Sequence, residues 1–144
     1  MAGTDNLSTL TQYVVDQLEA NSSLGLQVVY FGDQELIAKV PAVTVEPISV
    51  ERELIEARRY VNCTLELEIM VYQAQLNDRG ATLKLALEKG EATMDILDAL
   101  QNCGGNALFS WCTGMEVGTA QRGNNLLSAS RIAFRAISQV QLAS

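Results

Sequence analysis

Histidine is absent from the 144 residues of this chain, which removes the most common general base and the most common metal ligand. Lysine is also scarce, since only Lys39, Lys84 and Lys89 are present. A serine or cysteine nucleophile needs an adjacent base, so only these lysines or a carboxylate could activate one. The sequence contains no glycine-rich phosphate loop with its lysine. We therefore predict no catalytic residues, no cofactor and no metal, and the chain is not expected to be an enzyme.

Cysteine and long apolar runs are equally limited. The three cysteines do not form a CxxC pair, so we expect three small buried or half-buried thiols at Cys63, Cys103 and Cys112. No apolar run approaches the roughly eighteen residues of a membrane span. The N-terminus lacks a basic segment followed by an apolar block, as a signal peptide would have. These absences predict a protein that stays, or is assembled, inside a cell.

The charge balance is acidic, with a formal net charge of −7 and no cluster of Lys and Arg. Such a chain is a poor candidate for gripping phosphate backbones. An acidic surface can serve solubility, or it can keep passing nucleic acid from sticking. Apolar residues make up 48% and charged residues 19%, which predicts a globular core. The length fits a single domain over 1–144.

Hydrophobic periodicity predicts two helices. Thr4 or Asp5 is the expected N-cap of the first helix, and its apolar positions lie on one face: Leu7, Leu10, Val14 and Leu18. A second helix is predicted over 78–102, with Gly90 in its middle as a point of close packing on a sheet. "NCGG" ends that helix, with Gly104 or Gly105 left-handed.

Five strands are predicted at 26–32, 41–50, 60–72, 107–119 and 126–142. Pro41 and Pro47 place the second strand at an edge or give it a bulge, and a further bulge is expected at Gly114. Apolar and polar residues alternate strictly over 60–72, a strand about 40 Å long at about 3.3 Å per residue. The predicted fold is α+β: one mainly antiparallel sheet, two helices on one face, order α-β-β-β-α-β-β, and an extended β-hairpin.

The wetter face of this sheet carries the residues that could do chemistry. Glu66 and Glu68 could act as an acid/base pair, but cross-strand ion pairs with Arg131 and Arg135 are the favoured interpretation. Met70 and Tyr72 share the face, and a mixed face of this kind suits contacts between subunits. Trp111 with Phe109 could be a ligand platform, although core packing is the favoured interpretation.

A segment dense in charge, "SVERELIEARRY" (49–60), lies between two strands. A short helix or a loop is possible, but the flanking alternation favours the projecting end of a β-hairpin. Two apolar residues between balanced charges are typical of an interface. We therefore predict a subunit or partner interface at this hairpin arm, formed by Glu51, Arg52, Glu53, Leu54, Ile55, Glu56, Arg58 and Arg59.

The element order, the strand "VPAVTVEPISVERE" and the last strand "RIAFRAISQVQL" resemble the tail terminator proteins of long-tailed bacteriophages, also called tail completion or neck proteins. The resemblance extends from about Leu7 to Leu142. It implies a six-membered ring that caps the head-proximal end of the tail tube and stops its growth. The implied partners are other copies of the chain, the tail tube protein and the head or neck connector, with DNA passing through the channel unread. The family implies no catalytic residues, and it implies that the arm makes subunit or tube contacts.

Two alternatives remain at this point. The chain could be another tail or neck component, such as a tube subunit or a head-closure protein, although tube proteins generally contain less helix. It could also be a small enzyme or ligand-binding α+β domain, against which the lack of histidine and of a convergent polar set argues. The leading hypothesis places the protein in the virion, at the tail or neck, after assembly in the host cytoplasm.

Overall fold

The structure, a computed structural model, describes residues 3–55 and 59–142. Its helices and strands follow the predicted order: α1 (Leu7–Glu19), β1 (Val28–Phe31), β2 (Ala42–Ile55), β3 (Tyr60–Ala74), α2 (Arg79–Asp98), β4 (Phe109–Arg122) and β5 (Asn125–Gln141). A short 3₁₀ turn follows each helix, at Ser22–Leu24 and Cys103–Gly105. The predicted α+β class is confirmed.

The five strands form one sheet in the order β1-β2-β3-β5-β4. Only β1 is parallel to its neighbour, and it covers β2 no further than the pair Phe31 and Val45. The hairpin of β2 and β3 is paired to its end, where Ile55 lies opposite Tyr60. Strand β5 accompanies β3 to the same level, whereas β4 stops where Phe109 meets Ile137. Three strands therefore continue past the edge strand β4 at this end of the sheet.

Both helices pack on one face of the sheet, which holds the main core. The alternation in β3 explains which of its residues belong to this core, because the odd positions from Val61 to Val71 are buried against residues of α1 and α2. Gly90 brings α2 close to the sheet: an added Cβ would clash with the sulfur of Met115 and would lie 3.0 Å from Ser130 Oγ. The predicted close approach at this glycine is confirmed.

The boundaries differ from the prediction at both helices. The N-cap of α1 is Asn6, neither Thr4 nor Asp5, because its Oδ1 accepts the Thr9 N–H at 3.2 Å. Helix α2 ends at Asp98, earlier than predicted, and the chain then turns through positive φ angles at Gln101, Cys103, Gly104 and Gly105. Both strand irregularities are present, as register shifts between Pro47 and Ser49 and between Cys112 and Gly114.

Candidate assembly surface

The charged segment after Pro47 is β-strand as far as Ile55. Side chains project from both sides of this outer strand, and Leu54 keeps 60% of its surface exposed. Arg52 reaches Asp5 before α1 with 3.4 Å between Nη2 and Oδ2. Both partners are well exposed, so this pair contributes at most about 1 kcal/mol. The outer strand of the arm thus has a regular β backbone and largely exposed side chains.

The arm is stiffer than a free two-stranded hairpin. Strand β5 runs beside β3 to its end, pairing Tyr60 with Gln141, and the Leu142 N–H donates to the Arg59 carbonyl at 2.7 Å. Three paired strands hold their shape where an isolated hairpin is marginal. Of the predicted arm residues, Glu56 and Arg58 lie outside the described residues. Arg59, which directly precedes β3, has a positive φ of 54°.

The sheet face opposite the helices, here called the second face, holds the predicted ion pairs. Arg135 Nη2 lies 2.6 Å from Glu66 Oε1, and Arg131 Nε lies 3.7 Å from Glu68 Oε1. Cross-strand register causes this, because Glu66 faces Arg135 directly. Glu66 and Glu68 therefore each have a cationic partner. Half-exposed pairs of this kind contribute about 0–1 kcal/mol each.

Phe109 and Trp111 lie beside these ion pairs on the second face, with ring centroids 5.5 Å apart and planes inclined by 24°. Phe109 is 52% exposed, so the interpretation of this pair as core is wrong. The reason is the register of β4, which places the two residues opposite Ile137 and Arg135, on the side away from the helices. Ile48, in the bulge of β2, adds a further side chain that is 51% exposed.

The other end of the second face is closed by residues 32–41, here called the strap. Its Ile37 is fully buried in a second, smaller core with five other residues: Ala42, Met70, Tyr72, Leu127 and Ala129. Met70 and Tyr72 were predicted to contact a subunit or form ion pairs on an open face, but this chain buries both. The correction has a physical cause, since the loop after β1 folds over the sheet and fills the space that a partner would need.

Two further contacts hold the strap against the hairpin of β4 and β5. The Asn125 side-chain amide donates to the Ile37 carbonyl at 2.9 Å. Gly123, at a φ of 64°, leaves room for Leu36, whose Cδ1 would lie 2.5 Å from an added Cβ. The strap therefore reaches from the β1 edge of the sheet to the turn at its opposite edge.

A hydrogen-bonded network fixes the start of the strap. The Tyr72 hydroxyl donates to Asp33 Oδ1 at 2.8 Å, and Arg122 Nη2 lies 2.6 Å from Asp33 Oδ2. Burial raises the pKa of Tyr72 to about 12, and the bond to Asp33 acts in the same direction. Burial alone would raise the pKa of Asp33, but the hydrogen bonds from Arg122 and Tyr72 outweigh it and lower that pKa. Sequence analysis missed this network, whose members are far apart in the chain.

The cysteines show no sign of reactivity. Cys63 and Cys103 are buried and Cys112 is half-buried. Burial raises the pKa of Cys103, and burial together with Asp98 raises the pKa of Cys112. A raised pKa keeps a thiol protonated and a poor nucleophile. Over 3–55 and 59–142 no group of three or more His, Cys, Asp or Glu residues could hold a metal ion.

In the same part of the chain, neither helix has the length and apolar character needed to cross a bilayer. Leu76 and Leu83 are exposed beside a cleft at α2. Two further exposed surfaces are the arm and the open end of the second face, where Ile48 and Phe109 lie. Both are broad, mixed in polarity and shallow, as protein interfaces are.

Comparison with solved structures shows a likeness in fold. No protein-family model and no curated protein matches the sequence. Among solved structures, the fold superposes with a TM-score of 0.61 on a chain from a structure described as the virion of a native gene transfer agent (GTA) particle. The two chains are 15% identical, and the match covers 91% of this chain and 95% of the other. At this identity the likeness shows a shared fold.

Proposed function

We propose that this chain is a structural protein of a phage-like virion that forms a ring, most simply a hexamer, at the head-proximal end of a tail tube. The ring ends tube growth and joins the tail to the head or neck connector, while DNA passes through its channel. The observation that carries this proposal is the shared fold over nearly the full length of a chain from a virion particle. The hexamer and the terminator role rest on the resemblance described from the sequence.

The surfaces of the chain support self-assembly. A ring is built from head-to-tail contacts, in which one patch of each copy meets a different patch of the next. This chain offers two different exposed patches: the arm, with Leu54, and the open end of the second face, with Phe109 and Ile48. Neither patch is covered by the strap. The same molecule can therefore present both halves of a head-to-tail contact.

The charge distribution supports passage of DNA without retention. The formal net charge is −7. Arg131 and Arg135 are already paired with Glu68 and Glu66, so the second face offers phosphate no uncompensated arginine there. Affinity for a duplex comes largely from cations that neutralise phosphates. A ring built from chains with this acidic balance would let DNA slide.

The decisive experiment is to image virions assembled without the protein. Overlong tubes that are not joined to heads are the expected result for a terminator. Absent tubes would instead identify a tube subunit, and tubes of normal length still joined to heads would contradict both roles. Light scattering on the purified chain, alone and with tail tubes from the same particle, should detect a ring-sized species in at least one condition.

The arm can be tested separately with Leu54→Asp. Because Leu54 is exposed, the thermal unfolding of the monomer should be unchanged, while ring formation or binding to tubes is lost. Leu126→Asp is the matched control, since Leu126 is 55% exposed at the opposite end of the sheet. Equal loss of assembly in the two variants would remove the arm from the proposed interface.

A further inference from the structure

Two long strand edges lack a strand partner among the described residues, and they lie on opposite sides of the same sheet. On one side, β1 covers β2 only as far as Val45, so 46–55 is open. On the other side, β4 is an edge strand along its whole length. Its Cys112 N–H is taken by Asp98 Oδ1 at 2.8 Å and its Gln121 carbonyl by Arg122 Nη1 at 2.8 Å, which leaves 113–120. The two open edges are thus ten and eight residues long.

We propose that the open edge of β4 in one copy pairs with the open edge of β2 in the next copy, so that the sheet continues from subunit to subunit around the ring. The proposal rests on the ring proposed above and names the contact that builds it. Unpaired N–H and C=O groups along an edge are a template for another strand. Pairing the two edges satisfies both kinds of group in every copy of a closed ring.

The strand directions allow this joint to continue the antiparallel order of the sheet. Strands β2, β3, β5 and β4 are successive antiparallel neighbours, so β4 runs opposite to β2. Copies related by rotation about an axis along the sheet keep the same orientation. The strand β4 of one copy therefore meets β2 of the next copy in an antiparallel pair, as everywhere else in this part of the sheet. A two-fold pairing of β4 with β4 would leave every arm edge unused.

The two edges differ in how they are protected against wrong partners. The arm edge carries Pro47, a bulge and the charges of Glu51, Arg52 and Glu53, all devices that discourage promiscuous pairing. The β4 edge has its bulge at its start, between Cys112 and Gly114, and beyond it contains no proline and no lysine. An added Cβ at Gly114 or Gly118 would meet nothing within 4 Å. The better protected arm edge is therefore more readily paired with the less protected β4 edge of another copy than with a second arm edge.

The sheet also sets the register of the joint. Ser49, Glu66, Arg135 and Trp111 lie in one row, whereas the open part of β4 lies several rows away. Strands in barrels tilt by roughly 35–45° from the barrel axis. The four strands of one subunit span about 19 Å across the sheet, so this tilt displaces the next copy along the strands by roughly 13–19 Å, or four to six residues. Side chains alternate between the two faces of a sheet, and each face continues across the joint only if the shift is an even number of residues. A shift of four places Ser49 opposite Glu116, and a shift of six places it opposite Gly118.

Disulfide trapping in the full chain tests this register. The variants are Ser49→Cys with Glu116→Cys, and Ser49→Cys with Gly118→Cys, each with Cys112→Ser. Within one chain, β2 and β4 are three strand spacings apart, about 14 Å, whereas a disulfide needs Cα atoms within about 7 Å. Any bond between the two positions must therefore join two copies. After oxidation of assembled protein, one of the two variants should give a ladder of covalent multimers up to the ring.

Ser49→Cys with Val117→Cys is the matched control, because Val117 pairs with Ser130 and points to the helix side. It should give no ladder, and neither should the single-cysteine variants. Rings seen by light scattering without a ladder from either test variant would overturn the strand pairing while the proposed function stands. Covalent dimers that never extend would overturn it in favour of a two-fold contact. If no ring forms with or without tubes, and tubes keep normal length without the protein, the proposed function fails as well.

Hydrogen exchange of the unmodified chain gives a second measurement that depends on no variant. The alternate backbone amides in 46–55 and 113–120 that do not already donate to β3 or β5 should exchange at least tenfold more slowly in the ring than in the monomer. The inner strands β3 and β5 should change little, since they are already paired on both sides. Unchanged exchange at both edges in a verified ring would contradict the proposal.

Discussion

The two ends of the second face are formed by the same strands but differ in whether another segment covers them. At one end the strap covers the sheet, and Ile37 is fully buried above Met70 and Tyr72. At the other end no described segment covers the sheet, and Ile48 and Phe109 remain about half exposed. Strands β2, β3 and β5 run through both ends. The difference therefore comes from one irregular loop, which makes one end core and leaves the other end exposed.

If the proposed assembly uses the open end, one face of the sheet serves folding at one end and association at the other. Apolar area that the strap buries stabilises the monomer at about 25 cal/mol per Å². Apolar area at the open end can contribute a comparable energy only when another molecule covers it. Substitutions at the closed end should therefore change unfolding, and substitutions at the open end should change association.

The largest expected effect is at the centre of the closed end. Ile37→Ala should lower the free energy of unfolding by about 2–4 kcal/mol, because it removes a fully buried side chain and leaves a cavity. Ile48→Ala is the matched control at the open end and should change it by less than about 1 kcal/mol. Urea unfolding of the monomer measures both. Similar losses at the two sites would break the comparison.

The network under the strap should have the next largest effect. Tyr72→Phe removes the hydroxyl that donates to Asp33, and it should cost about 1–3 kcal/mol because the carboxylate loses a partner in a partly buried site. The measurement is again urea unfolding, at pH 7. Tyr60→Phe, at the far end of the same strand, is the control and should be nearly neutral.

The same network gives stability a pH dependence with a definite sign. The pKa of Tyr72 is raised to about 12, so its contribution is fully present below pH 10 and is lost as pH rises from about 10 towards 12. The pKa of Asp33 is lowered, so its contribution is present above about pH 4 and is lost on further acidification. Tyr72→Phe should flatten the alkaline part of the stability profile between pH 10 and 12. An alkaline profile unchanged by the substitution would show that Tyr72 ionises normally.

Sequence patterns predicted the regular parts of the molecule and missed what irregular backbone adds. Alternation over β3 and β5 was enough to predict the main core and the ion pairing of Glu66 and Glu68 with Arg131 and Arg135, because the buried face of a sheet decides which side chains share the other face. The strap escaped prediction, since a single isoleucine among turn residues has no period and Asp33 meets Tyr72 and Arg122 only in three dimensions. Phe109 and Trp111 were misassigned because their aromatic character does not tell which side of an edge strand they occupy.

The ion pairs of the open end should contribute little to the free chain. Glu66→Gln together with Arg135→Gln should lower the free energy of unfolding by no more than about 1 kcal/mol, because both side chains are half exposed and screened by solvent. Urea unfolding at low salt and at 1 M salt measures this, and the small difference from wild type should vanish at high salt. A loss above about 2 kcal/mol would mean that the pair helps to hold the monomer together, against its assignment to an interface.

A small effect on the free chain, with a clear effect on association, is expected at Phe109. Phe109→Ser removes a half-exposed ring that stacks on Trp111, so unfolding of the monomer should change by less than about 1 kcal/mol. If the open end is a contact surface, an exposed aromatic at its rim loses much more area on assembly, and the concentration at which light scattering detects rings should rise at least tenfold. Leu108→Ser is the matched control, because Leu108 is the neighbouring exposed residue, lies just before β4, and should leave that concentration nearly unchanged. Equal shifts for Phe109 and Leu108 would mean that general surface hydrophobicity drives association, and the distinction between a closed and an open end would then lose its functional meaning.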